Sequence, residues 1–290
     1  FRTPKDKKAN AIYRKSLDCF ARFMRLTDRA RIEKVELPFE KGKKLPAYLV
    51  HAQNTKKTKP PVVVFFDGFD VSKEIQYVLA AEDLIRRGMS VLLVDAPGNG
   101  ESIRFRNLYL RHDHEVAGVA ALNYLEKRKD VNARQAGVMA ISLGGYYAPR
   151  NASMERRFKA CVAWGAQWDY QKIWKDRITA AYKTALSVPG HHLSWIFNVK
   201  TMDEALVKLE GFKLGGVVEK MRCPFLLVHG EDDQQISMKV ARQLFKAVGS
   251  KDKSLKVFTG KEGGAQHCQM DNVPLGVSYI SDWLREKLKA

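Results

Sequence analysis

The sequence predicts an α/β protein with a mostly parallel central sheet, covered by helices on both faces, and a helical cap. Two observations carry this prediction. From residue 62 onward, short and fully apolar runs alternate with helical patterns, and one longer helical stretch interrupts this alternation between residues 170 and 220. Continuous apolar strands separated by helices are typical of parallel sheets that are buried on both faces.

The N-terminal segment, residues 1–30, is predicted to contain an amphipathic helix over residues 11–26, because apolar side chains recur there at helical spacing. These positions are Tyr13, Leu17, Phe20 and Met24. We expect this segment to join the cap. Two strands, at 32–39 and 47–51, follow and are joined by the turn-like sequence KGKKLP.

The core is predicted in two parts, residues 31–169 and residues 221–290. Predicted strands of the alternating region cover 62–66, 91–94, 137–141, 159–164, 225–228 and 255–258. Predicted helices cover 74–87, 113–129, a stretch ending near 155, and 275–287. Residues 170–220 are too long for an ordinary connection and are therefore assigned to the cap. Its aromatic residues, Trp174, Tyr182, Trp195 and Phe197, form either the cap's own core or the wall of an apolar acyl or aryl pocket.

The most informative motif is VMAISLGGYY, residues 138–147, in which an apolar strand leads to Ser142 and then to two glycines that open a helix. This order is typical of the nucleophile elbow of α/β hydrolases, which exposes a serine hydroxyl on a sharp strand-to-helix turn. Asp233 and His267 follow later strands in the chain order that these enzymes use. The sequence therefore predicts an α/β-hydrolase fold with a serine nucleophile.

A serine hydroxyl needs an imidazole to accept its proton, and the imidazole needs a carboxylate that fixes its tautomer. Ser142, His267 and Asp233 are the candidates for these roles. Asp233 is preferred to Asp232 and Glu231 because it lies three residues after Gly230, where the chain leaves the strand. The other histidines fall in predicted strands, near a helix start or in the cap; they are His51, His112, His114, His191, His192 and His229.

Acyl chemistry also needs donors for a developing oxyanion. The backbone N–H of Leu143 is one candidate by its position after the serine, and that of Phe69 in FFDGFD is the second, with Gly68 allowing close approach. Asp67 occupies the place where such loops usually carry histidine. Because a carboxylate near the oxyanion would oppose catalysis, we expect the Asp67 side chain to point away and bind the loop backbone.

The composition argues against a membrane-spanning, a secreted and a nucleic-acid-binding protein. The 290 residues are 45% hydrophobic, and no apolar stretch approaches the roughly 18 residues that cross a bilayer. The opening residues lack the apolar segment of a signal peptide, so a cytoplasmic protein is expected. The net charge of +18 is spread along the chain without a recognition motif, which favours a solvated surface over an anionic partner and over nucleic acid.

Phosphate-binding and metal sites are not predicted. The sequence DAPGNGES, residues 95–102, lacks the Lys-Ser/Thr pair of a phosphate loop and is expected to be a structural loop at the edge of the site. The four cysteines are scattered without the paired spacing of a zinc site or disulfide scaffold. We therefore expect no metal and no cofactor.

Several longer motifs go beyond the general pattern: ISLGGYYAPR, FKACVAWGAQWDY, DGFDVSKE, DAPGNGES and HGEDD. With them the chain, from about residue 62 onward, resembles the branch of α/β hydrolases that contains 2,6-dihydroxypseudooxynicotine hydrolase and fungal polyketide-shortening hydrolases. The resemblance implies a helical cap, a dimer in some relatives, and cleavage of a carbon–carbon bond next to a ketone. It places the triad on Ser142, Asp233 and His267.

The same resemblance implies an acidic group near the substrate after the WGA segment, for which Asp169 is the nearest candidate. Asp70 and Trp168 are further candidates for substrate contact. Ala140 stands where the GxSxG elbow has its first glycine, a mild steric difference. The predicted activity is therefore cleavage of an acyl carbon–carbon bond in an apolar or aromatic small molecule. A carboxylesterase or amidase with the same triad, and a silent ligand-binding protein, are the alternatives.

Overall fold

The computed structural model describes residues 6–179 and 190–290, and its centre is one eight-stranded sheet. In chain order the strands are β1 (Ile32–Pro38), β2 (Lys44–Val50), β3 (Pro61–Phe66), β4 (Ser90–Val94), β5 (Asn132–Ile141), β6 (Ala160–Trp164), β7 (Phe225–Gly230) and β8 (Lys253–Phe258). Their order across the sheet is β1-β2-β4-β3-β5-β6-β7-β8. β1 and β2 are antiparallel to their neighbours, and the other strands pair in parallel.

The apolar strands are buried on both faces because side chains alternate across the sheet. In β3, Val62, Val64 and Phe66 belong to one hydrophobic cluster. Val63 and Phe65, between them, belong to the cluster on the opposite face. A strand with a core on each side must be apolar at every position, which explains the continuous PVVVFF sequence.

Eleven α-helical segments surround the sheet in the described part of the chain. They are α1 (Lys7–Leu26), α2 (Lys73–Gln76), α3 (Glu82–Arg86), α4 (Gly100–Arg106), α5 (Glu115–Leu125), α6 (Gly144–Met154), α7 (Tyr170–Thr179), α8 (Gly190–Phe197), α9 (Met202–Lys208), α10 (Met238–Ala247) and α11 (Val273–Lys287). A π-helical turn, Tyr77–Ala81, joins α2 to α3. None of these helices is long and apolar enough to span a membrane.

The three helices α7, α8 and α9 lie between β6 and β7, and the described residues among 170–220 are called the helical insertion below. Trp174 is completely buried, and Phe197 is largely buried, so both belong to the hydrophobic core. Trp195 is partly buried against the same cluster. Tyr182 lies outside the described residues.

The N-terminal helix α1 packs on the core sheet, although the sequence grouped residues 1–30 with the cap. The Phe20 ring stacks on Tyr48 of β2 with a centroid distance of 5.0 Å, and Phe23 meets Tyr77 edge-on. These contacts place α1 over the sheet face that carries the second hydrophobic cluster. Arg104 links α1 to the insertion, because its guanidinium lies 5.0 Å from the ring centroid of Tyr13 and 4.9 Å from that of Trp195.

The loop after β4 is shorter than the sequence suggests, because α4 begins at Gly100. The Asp95 carboxylate accepts the backbone N–H of Glu101, and the Ser102 hydroxyl donates to the Asp95 carbonyl. These bonds satisfy groups at the first turn of the helix. A Cβ on Gly100 would lie 2.2 Å from the Asp95 carboxylate, so glycine is required there.

Lys73 is a fully buried lysine at the start of α2. Its Nζ lies 2.7 Å from Glu74 Oε1, 2.9 Å from Asp95 Oδ2 and 2.7 Å from Glu101 Oε1. The three carboxylates offset the loss of water around the ammonium group, and the cluster ties α2 to β4 and α4.

Lys73→Leu is expected to lower the free energy of unfolding by about 3–5 kcal/mol, because it leaves buried carboxylates without their cation. Lys34→Leu is the control, since the exposed Lys34 lies 4.0 Å from the other oxygen of Glu101. This change is expected to cost less than about 1 kcal/mol. Urea denaturation of both variants measures the difference, and equal losses would contradict the role given to Lys73.

Candidate active site

The turn after β5 has the backbone of a nucleophile elbow. Ser142 has a φ of 61°, in the left-handed region that non-glycine residues rarely occupy, and its N–H donates to the Trp164 carbonyl at 2.8 Å. A Cβ on Gly144 would lie 2.4 Å from the Ala140 Cβ. Alanine is therefore accommodated at position 140 because position 144 has no side chain.

The structure brings the three predicted residues together from the carboxyl ends of separate strands. His267 Nε2 lies 2.9 Å from Ser142 Oγ, and His267 Nδ1 lies 2.7 Å from Asp233 Oδ2. Ser142 and His267 are separated by 125 positions in the sequence. This is the geometry in which an imidazole can accept a serine proton while a carboxylate orients the ring.

Of the three adjacent acidic residues after β7, only Asp233 is buried beside His267. Asp233 is buried, and its second oxygen accepts the backbone N–H groups of Gln235 at 2.8 Å and Ile236 at 3.0 Å. Asp232 and Glu231 are exposed. Asp233 is thus the acid whose carboxylate the loop fixes beside His267, as its place after Gly230 suggested.

The electrostatics favour an ionised acid beside a basic imidazole. Burial raises the pKa of the Asp233 carboxyl, but the hydrogen bond and charge of His267, the Ile236 N–H and the charge of His229 together outweigh it, and the net pKa is below 3.8. Burial lowers the pKa of His267, whereas Cys268 and the Asp233 carboxylate raise it, and the net pKa is above 6.5. The imidazolium formed by proton abstraction is therefore stabilised in place.

The pH dependence of kcat/KM should reflect the raised pKa of His267. The neutral imidazole is the form that accepts a proton, so activity is lost as the pH falls through the pKa of His267. Because that pKa is raised, we expect the midpoint of the acidic limb to lie above pH 6.5. A midpoint below 6.5 in a pH profile would contradict this assignment.

The loop after β3 passes directly against the elbow. A Cβ on Gly68 would lie 2.7 Å from the Ile141 carbonyl oxygen and 3.1 Å from the Ser142 Cβ. Asn99 holds the loop from the other side, with its side-chain amide donating to the Gly68 carbonyl at 2.9 Å. In the described chain, the backbone N–H groups of Phe69 and Leu143 donate no internal hydrogen bond. Two buried donors are therefore left for a ligand oxygen.

Gly68→Ala is expected to lower kcat by about 100- to 1000-fold, the usual cost of losing one oxyanion donor. The added methyl group would collide with backbone, so the loop and its Phe69 N–H must move away from Ser142. Gly260→Ala is the matched control, since a Cβ there would meet nothing closer than 3.7 Å. Steady-state kinetics on an aryl ester, with thermal melts of both variants, measure the effect; an unchanged kcat for Gly68→Ala would contradict it.

Asp67 is turned away from the elbow, but it does not bind the loop backbone as the sequence reasoning expected. Its carboxyl group is completely buried and accepts a hydrogen bond from the side-chain amide of Gln76 in α2. Burial, together with the nearby Asp95, raises the pKa of Asp67 well above 3.8. The raised pKa favours the neutral carboxyl group, and this form would add no negative charge near an oxyanion.

A cavity of about 330 Å³ opens over Ser142 and His267. Its apolar wall comes from Phe69, Val71, Ile75, Leu79, Ile141, Tyr170 and Met270, and its further polar groups come from Asp70, Gln167, Arg177, Gln235 and Cys268. This size suits a small-molecule ligand. A larger groove of about 570 Å³ runs beside α1 and contains none of the three site residues.

The three candidate substrate contacts have different positions. Asp70 lies on the cavity wall. Trp168 and Asp169 are not among the described residues that line it: Trp168 packs on the core cluster, and Asp169 accepts the N–H of Lys172 at 3.0 Å and lies 3.8 Å from the Lys213 ammonium. Asp169 therefore caps the first turn of α7. Gln167 and Arg177, which the sequence reasoning did not select, do line the cavity.

One group of side chains in the described chain has ligand spacing for a metal ion: Glu33, His51 and Asp130. It lies on β1 and the loops beside it, away from the cavity. Arg128 donates to Glu33 Oε2 at 3.0 Å and to Asp130 Oδ2 at 2.5 Å. The guanidinium already balances these carboxylates, so the group is better described as an ion-pair network.

The fold and the known relatives define the chain as an α/β hydrolase, as the sequence predicts. The chain belongs to the FrsA-like esterase family, whose profile matches residues 7–289.

Two sequence relatives illustrate the similarity. The chain is 26% identical to 20-hydroxy-prefusarin hydrolase FUS2 of Gibberella moniliformis, an alignment that covers 97% of this chain and 75% of that protein. It is 27% identical to 2,6-dihydropseudooxynicotine hydrolase of Paenarthrobacter nicotinovorans, over 79% of this chain and 58% of that one. The resemblance inferred from the motifs is thereby confirmed.

Solved structures are similar over nearly the whole chain. 2,6-dihydroxy-pseudo-oxynicotine hydrolase superposes with a TM-score of 0.79 at 24% identity, covering 95% of this chain and 73% of the other. AbyA5 superposes with a TM-score of 0.78 at 20% identity, covering 98% and 79%. These likenesses confirm the predicted fold.

Proposed function

We propose that Ser142, His267 and Asp233 form the catalytic triad of a serine hydrolase that cleaves an acyl carbon–carbon bond next to a ketone. The contact of His267 with both Ser142 and Asp233 carries this proposal. The aromatic or polyketide-like substrate class is proposed from the resemblance to two relatives, which are named as hydrolases of 20-hydroxy-prefusarin and of 2,6-dihydropseudooxynicotine. The largely apolar cavity over Ser142 is consistent with it.

In the proposed mechanism, His267 takes the proton of Ser142 Oγ as that oxygen attacks the ketone carbon. The oxyanion that forms is held by the N–H groups of Phe69 and Leu143. The carbon–carbon bond then breaks, its electron pair stays with the leaving carbon, and the His267 imidazolium protonates that carbon. Water, deprotonated by His267, releases the acyl group as a carboxylic acid. Direct attack by a His267-activated water on the ketone would give the same products.

The leaving carbon must be able to carry the electron pair. A ring bearing hydroxyl groups or a second carbonyl can do so, which restricts the substrates to acyl-phenols and β-diketone-like compounds. The helical insertion, which supplies Tyr170 and Arg177 to the wall, would act as the cap that excludes bulk water.

A carboxylesterase or amidase that uses the same residues is the second candidate, and the esterase description of the family favours it. Turnover of a panel of aryl esters should be compared with turnover of acyl-phenol ketones of matched size. Hydrolysis of the ketones to a carboxylic acid and a phenol supports the proposal. If only esters react across the panel, the carbon–carbon assignment fails and the esterase assignment stands.

A catalytically silent binding protein would fold normally and bind a ligand without reacting. Labelling with a fluorophosphonate probe separates this alternative from both enzyme hypotheses. We expect Ser142 to be labelled, because its hydroxyl contacts an imidazole that can accept the proton.

A further inference from the structure

Gln167 lies in the segment that follows the strand next to the Ser142 strand. It comes three residues after the end of β6, and β6 pairs in parallel with β5, which ends at Ile141, directly before Ser142. The intervening Gly165 has a φ of 99°, and a Cβ there would lie 3.1 Å from Cys268 Sγ and 3.6 Å from the Ser142 Cα. The chain therefore passes against the elbow before it places the Gln167 side chain on the cavity wall.

The Gln167 side chain is only 3% exposed, and its amide oxygen is buried without a hydrogen-bond partner among the described residues. A buried acceptor left in this state typically costs about 1–3 kcal/mol. Most buried polar atoms in folded proteins are paired, so an unpaired one in a side chain that lines a ligand cavity calls for a functional explanation. The missing partner must be a hydrogen-bond donor.

The surroundings restrict what that donor can be. Phe69, Ile141 and the apolar side chains of α2 and the π-helical turn line the same cavity, so a ligand there is largely enclosed by hydrocarbon. A neutral hydroxyl group suits such a wall, because burying a charged ammonium group there would be far more costly. The amide oxygen is then the polar anchor that fixes the ligand's orientation.

We propose that Gln167 accepts a hydrogen bond from a hydroxyl group of the substrate and is a specificity-determining residue. The substrates are accordingly hydroxylated acyl compounds. This inference rests on the proposed function in one respect, namely that the cavity over Ser142 holds the substrate. An analogue without the hydroxyl group would leave the Gln167 oxygen unpaired in the complex, and this is the main source of discrimination.

The test measures binding in a background that does not react. The Ser142→Ala protein is titrated calorimetrically with butyrophenone, with its three ring-hydroxylated isomers, and with the corresponding methoxy compounds. At least one hydroxylated isomer should bind about 10- to 100-fold more tightly than butyrophenone. Its methoxy counterpart, which can accept but not donate a hydrogen bond, should show no such gain.

Gln167→Leu, added to Ser142→Ala, should reduce this preference to about threefold or less, because it removes the acceptor and keeps the volume. The matched control is Gln235→Leu, a change of the same kind in the same cavity, which should preserve the preference. Gln167→Leu should not lower the melting temperature, since it replaces an unpaired polar group by an apolar one. The melting temperature of the variant therefore shows whether a loss of the preference comes from the missing acceptor or from a destabilised fold.

Equal affinities for the hydroxylated and unhydroxylated ketones would overturn the inference, as would a hydroxyl preference that survives in Gln167→Leu. A preference that depends on Gln167, in a protein whose wild type hydrolyses neither ketones nor esters, would support the inference and defeat the proposed function. Hydrolysis of ketones by the wild type, with no hydroxyl preference in binding, would support the proposed function and overturn the inference about Gln167.

Discussion

Replacing Ser142 with alanine is expected to lower kcat by about 10⁴- to 10⁶-fold. The change removes Ser142 Oγ, and the 2.9 Å hydrogen bond between this atom and His267 Nε2 is lost with it. The backbone at position 142 stays at a φ that alanine and serine tolerate about equally. The fold and the cavity should therefore survive.

Three measurements check this result together: steady-state turnover of the best substrate, labelling by a fluorophosphonate probe, and the melting temperature. Turnover and labelling should disappear while the melting temperature changes by no more than a few degrees. Residual turnover within tenfold of wild type would mean that another group is the nucleophile. In the route that uses a directly activated water, the variant would keep ketone cleavage and lose only the labelling.

Asp233→Asn is expected to lower kcat by about 10⁴-fold. An amide cannot favour the imidazolium as a carboxylate does, and its NH₂ group can hold His267 in the wrong tautomer. The side chain keeps its size, and its remaining oxygen can still accept the N–H groups of Gln235 and Ile236. The loss should therefore appear in kcat far more than in stability.

The adjacent residue offers the matched control. Asp232→Asn makes the same chemical change one position away, on a side chain that is exposed, whereas the hydrogen bond to His267 Nδ1 comes from Asp233. This variant should retain turnover within about twofold of wild type, as surface changes away from a site usually do. If the two variants lost activity equally, the acid of the triad would have to be reassigned.

The three site residues could be predicted because each is marked either by a short local pattern or by its order in the chain. A strand, a small residue and a glycine pair define the elbow around Ser142, and HGEDD marks the turn at the end of β7. The position of His267 followed from its order in the chain. These patterns can be recognised without knowing which residues contact each other across the sheet. The order of the parallel strands then brings Ser142 and Asp233 close to His267.

Contacts between distant segments were harder to predict. Asp67 binds Gln76 because the first turn of α2 lies over the end of β3, and no local pattern records that packing. The position of Asp169 could not be decided either, since an aspartate before a helix is equally suited to capping it and to meeting a substrate. Gln167 carried one signal that could have been used: it follows the strand adjacent to the one that ends in the nucleophile.

The packing of Phe69 has a consequence for how the enzyme would lose activity on warming. Its ring lies against Tyr170 and Trp174 of α7 and against His192 of α8. Phe69, whose N–H is one of the two proposed oxyanion donors, is thus anchored to the helices of the insertion rather than to the interior of the sheet. Such helices open before a protein melts as a whole. Inactivation would then begin while the strands are still intact and would reverse on cooling.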